Sequence, residues 1–160
     1  MSVLVDNNPK TAAGSAKYST VAIPPIVKAE LGGAMTEGAR KYGRFNWRKD
    51  SITASTYIDA LSRHIDAWIE GEDIDQESGY SHIVKAIATL VVMRDAMLHG
   101  MFNDDRPPKS NEGWQLELNK KAAQLIEKYP NAKQPVTEIN SIPDKNDFID
   151  QYDLFAASRK

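Results

Sequence analysis

The sequence predicts an all-α fold, a helical bundle with an irregular N-terminal arm and a C-terminal tail. Three observations carry this reading. Apolar residues recur at i, i+3 and i+4 in four separate stretches, proline and glycine punctuate the ends of those stretches, and no alternating apolar and polar run of useful strand length occurs. At 160 residues the chain is about one domain, and a chain of this size buries roughly two-thirds of the surface exposed by its unfolded form.

Residues 1–23 carry Asn, Gly, Ser and Thr with little periodicity and read as an arm, ordered only where it touches something. Pro24-Pro25 then opens a helix, because proline's missing N–H has no partner in a first turn anyway. Ile26, Leu31, Ala34, Met35 and Ala39 place this helix at about 24–42, with Gly43 to end it. After the loop GRFNWRKDS, Thr53 or Ser55 can cap a second helix with the stripe Ile58, Leu61, Ile65, Trp68 and Ile69, stopping at Gly71. The turn-forming EDIDQESG follows, with Ser78 as the candidate cap of a third helix. That helix carries Ile83, Ala86, Ile87, Leu90, Val91, Met93, Met97 and Leu98 and ends near Gly100. Its wide apolar face makes it the candidate bundle centre.

NDDRPPKSNEG reads as a linker, since Pro107-Pro108 forbids helix continuation. Trp114, Leu118, Ala122, Leu125 and Ile126 predict a fourth helix over about 112–129, ended by Pro130, and a short helix is expected at 145–157. The expected division is an arm over 1–23, an all-α domain over 24–100, and a linker, helix and tail over 101–160. Three helices and a loosely tethered fourth make a thin core, which predicts pairing of bundles.

Composition excludes several function classes. Without cysteine there is no thiol nucleophile and no Cys-based zinc site, so any metal must be held by oxygen and nitrogen. With 20 basic and 22 acidic residues and a net charge of -2, the chain lacks the basic footprint of a long nucleic-acid binder. A single nucleotide needs only a few local charges. The start MSVLVDNNPK has no apolar signal segment and no apolar run reaches membrane-spanning length, so a cytoplasmic protein with no membrane partner is expected. Neither GxxxxGK[ST] nor GxGxxG occurs, which removes P-loop and Rossmann phosphate sites. Paired Glu-x-x-His motifs of di-iron bundles are missing as well.

The chemistry gathers between Glu37 and His82. Glu37 and Lys41 lie four apart on one helix face, which on its own describes an exposed ion pair of a few tenths of a kcal/mol. The following KYGRFNWR alternates Phe45 and Trp47 with Arg44, Asn46 and Arg48. Such a loop either forms a small satellite core or stacks on a base, bonds its edge and pairs a phosphate. His64 lies on the inward stripe Tyr57, Leu61, His64, Trp68, as a core residue or a ligand, and His82 starts the third helix. Glu70, Glu72, Asp73, Asp75 and Glu77 crowd five carboxyl groups into eight residues. This is either a solvated acidic loop or a set of hard oxygen donors whose repulsion Mg²⁺ or Mn²⁺ would relieve.

Taken in order, Lys28, the run Glu37-Gly-Ala-Arg-Lys-Tyr-Gly43, Asn46-Trp-Arg48, Arg63-His64, Gly71-Glu72, Asp75, Glu77-Ser-Gly79 and His82 form a specific set of short motifs. The set resembles the phage dATP/dGTP diphosphohydrolase domain, a MazG-like all-α nucleotide pyrophosphohydrolase, over about residues 18–100. Within that group it resembles the MazZ type, which converts dGTP to dGMP as feedstock in phages with diaminopurine DNA. The resemblance implies a MazG-like bundle that forms a homodimer or homotetramer in the host cytoplasm. It also implies two or three Mg²⁺ or Mn²⁺ ions and a purine deoxynucleoside triphosphate cleaved to monophosphate and pyrophosphate.

Carried onto this chain, the resemblance makes Glu37, Glu70, Glu72 and Asp75 metal ligands, with His64 and His82 as ligands or orienters and Glu37 and Glu72 in the catalytic step. Lys41, Arg48 and Arg63 would hold phosphates, and Asn46 and Trp47 the base. MazG-like enzymes carry ExxE on one helix and ExxD on the next. Here ExxD spacing occurs only as Glu70 to Asp73 and Glu72 to Asp75, around a helix end. The alternatives are a housecleaning enzyme acting on dUTP or damaged nucleotides, and a non-catalytic helical nucleotide-binding or assembly protein.

Overall fold

The computed structural model describes residues 8–137 and 139, and among them the regular structure is helical, apart from one pair of two-residue strands and one isolated bridge. The helix expected at 145–157 lies outside the described residues. Two compact units are present, Met1–Pro108 and Lys109–Lys160.

The first unit is built on three helices: α2 (Pro25–Tyr42), α3 (Ala54–Ile69) and α4 (His82–Leu98). A short helix α1 (Pro9–Ser15) precedes them in the arm, where no helix was expected. It is a local product of Asn8, whose side chain accepts from Lys10 N at 2.9 Å, and of Pro9 in the first turn. Glycine ends α2 as expected: Gly43 sits at φ 92°, a conformation glycine adopts without the Cβ penalty. The helix α4 packs against both α2 and α3, which gives it the central place its wide apolar face predicted.

One cap differs from expectation, and a second is completed by a residue far along the chain. Ser81, not Ser78, is the N-cap of α4, accepting from Ile83 N at 3.2 Å. The reason lies in the loop, which doubles back through the antiparallel Ile74–Ser81 bridge and turns Ser78 toward Asp75. At α3, Thr53 holds the N-cap position without a side-chain bond, and Asp105 serves the helix start instead, accepting from Ser55 N at 2.8 Å. Asp105 arrives there because β1 (Ile52–Thr53) and β2 (Phe102–Asn103) pair in parallel, Ile52 opposite Phe102. The first unit therefore continues past Gly100, the expected boundary, through the clasp to Pro108.

The core is small. Trp47, Ile52, Met93 and Ala96 are buried together, with Met35, Tyr57, Val92, Met101 and Phe102 packed against them. Each large apolar side chain removed from water here contributes roughly 1.5–3 kcal/mol. Gly33 on α2 lets Tyr80 approach so closely that a Cβ at position 33 would lie 2.0 Å from the tyrosine oxygen. That contact seats the loop after α3 on α2. In the second unit α5 (Trp114–Lys128) is amphipathic and, among its described residues, none is buried. No described helix is long and apolar enough to cross a membrane.

Candidate functional site

Five charged side chains form a chain of alternating sign. Glu37, midway along α2, accepts from Lys41 Nζ at 2.6 Å on Oε1 and from Lys85 Nζ on Oε2. Lys85 stands one turn into α4 and also faces Asp75 Oδ2 at 3.9 Å, while Lys41 reaches Glu77 Oε1 at 2.5 Å. The order is thus Asp75, Lys85, Glu37, Lys41, Glu77. Local structure fixes each member: helix spacing aligns Glu37 with Lys41, and the bridged loop turns Asp75 inward, where Ser78 Oγ donates to it at 2.5 Å.

Burial raises the pKa of Glu37, but the hydrogen bonds from Lys41 and Lys85 outweigh it and hold the carboxyl below its ordinary value. Asp75 behaves alike: burial pushes it up, and the Ser78 bonds with the Lys85 charge bring it down. Lys41 is raised by its bonds to Glu37 and Glu77. All three are therefore held in their charged forms.

Beside this chain lies a histidine pair. His64 Nδ1 and His82 Nδ1 are 2.8 Å apart. His82 is buried, and its Nε2 has no hydrogen-bond partner among the described residues; Glu72 Oε2 is 3.8 Å from it. The pKa of His64 is lowered, first by burial, then by His82, with Lys85 and Arg63 adding to the effect against the pull of Asp75. Asp75 and Lys85 both act on His64 through their charges, so the pair stands within electrostatic range of the charge chain.

The structure thus brings together Glu37, Lys41, Asp75, His64, His82 and Glu72. Glu70 ends α3 with its side chain exposed, and Arg63 is exposed on α3. Asn46, Trp47 and Arg48 form a 3₁₀ turn anchored on α4. Trp47, expected to hold the base with Asn46, is instead buried in the core and donates its indole N–H to Asp95 Oδ2 at 2.7 Å. Arg48 grips the same carboxylate with Nε at 2.7 Å and Nη2 at 2.9 Å, and together they pull Asp95 down to about 2. The aromatic left at the surface is Phe45, at φ 60° with Arg44 and Arg48 beside its ring.

Sequence reasoning missed Lys85, Ser78, Tyr80 and Asp95. Lys85 had a readable signal: it is the one charge in the run HIVKAIATLVVM, and a cation inside an apolar helix requires a counter-charge. Asp95 had none, because its partners lie 47 and 48 positions away.

Among the described residues, no three His, Asp or Glu side chains are grouped to hold a metal ion. The donors still suit a hard divalent cation in kind. Glu37 and Asp75 converge on one ammonium, and His82 Nε2 is buried and uncommitted. Mg²⁺ is commonly held by one or two carboxylates, with water and substrate phosphates completing its shell.

A family model described as dATP/dGTP diphosphohydrolase, N-terminal, matches residues 7–106, which include every residue of this site. A dATP/dGTP diphosphohydrolase of Salmonella phage PMBT28 is 23% identical over 136 residues, covering 85% of this chain and 40% of the relative. The chain thus spans less than half the length of that protein. No solved structure matches. The match over most of the first unit, enclosing both the charge chain and the histidine pair, places the chain in the family of dATP/dGTP diphosphohydrolase N-terminal regions.

Proposed function

We propose that this chain hydrolyses a purine deoxynucleoside triphosphate, dGTP or dATP, to the monophosphate and pyrophosphate, using Mg²⁺ or Mn²⁺. One observation carries the reading: Glu37 and Asp75, from separate elements, converge on Lys85 within the segment that matches the family. Two carboxylates and two ammoniums in alternation can divide the work of a triphosphate site. The carboxylates take the cation, and the ammoniums take phosphate oxygens.

In this reading Glu37 and Asp75 hold the metal, with His82 and His64 beside them. The bound ion supplies charge neutralisation of the triphosphate and a lowered pKa for water. Lys41, Lys85 and Arg63 bind phosphate oxygens. Water's oxygen bonds to the α-phosphorus, the bond from that phosphorus to the α–β bridging oxygen breaks, and the bridging oxygen leaves with pyrophosphate. Glu72 takes the water's proton. Glu37 suits that task less well, since both of its oxygens bond to lysines and its pKa is depressed. Arg48 is committed to Asp95, so it and Trp47 support the loop that presents Asn46 and Phe45 to the base.

The test is direct incubation with each deoxynucleoside triphosphate plus Mg²⁺ or Mn²⁺, followed by chromatography. Monophosphate and pyrophosphate from dGTP or dATP are expected. Release of orthophosphate, or cleavage confined to dUTP, overturns the assignment, and no product with any substrate points to a binding protein.

A further inference from the structure

We propose that Lys85 is the resident counter-cation of Glu37 and Asp75, holding the place between them that a divalent cation takes when it arrives. This rests on the reading of the site as one for metal-bound triphosphate.

The geometry is specific. Lys85 Nζ bonds Glu37 Oε2 and stands 3.9 Å from Asp75 Oδ2, and the three side chains are 18%, 19% and 17% exposed. Two carboxylates drawn together at this degree of burial repel one another unless a positive charge stands between them. Lys85 meets that need from within an apolar helix, where its own charge needs the same neutralisation. An ammonium and a divalent cation ask for the same carboxylate oxygens. They therefore compete. A flexible four-carbon stem lets the ammonium withdraw toward the phosphate oxygens as a metal-bound triphosphate enters. The chain is then kept charge-balanced in both states. One turn earlier on the same helix, His82 Nε2 is buried and has no hydrogen-bond partner among the described residues.

A merely structural lysine and a counter-cation differ in what its removal does to metal binding. Removing a structural ion-pair partner loosens the fold and leaves metal affinity unchanged or weaker. Removing a competitor tightens it. Mn²⁺ binding to the full chain without nucleotide, followed by calorimetry or by the manganese spin signal, reads this directly. Lys85→Gln is expected to bind Mn²⁺ roughly tenfold or more tighter than wild type, and Lys85→Arg to stay within about threefold of wild type. Because Lys85→Gln exposes two carboxylates to mutual repulsion, its melting temperature should fall without metal. Mn²⁺ should raise it by more than in wild type. The proposal is overturned if Lys85→Gln binds Mn²⁺ no more tightly than wild type, or if neither protein binds it. Failure of the hydrolysis reading looks different. Tighter Mn²⁺ binding by Lys85→Gln, with no pyrophosphate released from any nucleotide by wild type, would uphold Lys85 and sink the enzymatic assignment.

Discussion

His64 and His82 meet Nδ1 to Nδ1 at 2.8 Å, with ring centroids 5.1 Å apart, so a single proton lies between the two nitrogens. One ring must donate and the other accept, an arrangement that two imidazolium rings cannot maintain. The pair ties α3 to the start of α4, beside the charge chain.

The first prediction follows from the sign of the His64 shift. Its folded pKa lies below the ordinary 6.5, mainly because burial disfavours the imidazolium and His82 stands against it. A depressed histidine contributes stability that is complete above 6.5 and is lost as pH falls through the folded value. The melting temperature of the metal-free chain should therefore drop as pH is lowered from about 6.5, and His64→Gln should flatten that part of the curve. An identical slope in the variant would assign the response to other groups. Glu37 and Asp75, also depressed, add a second loss only below their ordinary values of 4.5 and 3.8.

Gly33→Ala should destabilise the first unit by about 1–3 kcal/mol through overpacking. Its methyl carbon would lie 2.0 to 2.6 Å from three atoms of Tyr80, so the ring must leave its seat on α2. Denaturant titration measures this, and combining it with Tyr80→Ala should recover part of the loss as coupling between the two sites. Strict additivity would mean that the ring does not rest there.

A fragment of residues 1–108 should fold with a cooperative thermal transition, and one of residues 1–100 should melt markedly lower. The shorter piece loses Met101 and Phe102 from the core, the β1–β2 pairing and the Asp105 bonds to Ser55. Circular dichroism on both decides it, and equal melting temperatures would show that the clasp contributes nothing.

Glu72→Gln should lower turnover with dGTP by roughly 10²–10⁴-fold if its carboxylate takes the proton from water. Its side chain is 49% exposed, so the melting temperature should barely move. An unchanged rate removes Glu72 from the chemistry and leaves Asp75 as the next carboxylate to test.

The candidate site was legible in its ingredients more than in its arrangement. Glu37 with Lys41 could be read from helix spacing, and the acidic turn from its composition. That Asp75 faces inward while Glu70 stays exposed could not be read, because neighbouring loop carboxylates have no fixed period to separate them. Trp47 illustrates the same limit. An aromatic in a short polar loop can serve either as a ligand platform or as a core plug, and the position of Asp95 on α4 decided for the core.

What the sequence by itself determined is local: the helices at Pro25–Tyr42, Ala54–Ile69, His82–Leu98 and Trp114–Lys128, and their glycine and proline ends. Apolar periodicity, caps and breakers act within a few residues, so each of these elements carries its own instructions. Only the tertiary structure decided that Lys85 would stand between Glu37 and Asp75, and that Asp105 would serve a helix whose start lies 50 positions earlier. Those pairings depend on which faces meet when α4 docks on α2 and α3. That choice is made by the burial of a whole core rather than by any one stretch of chain.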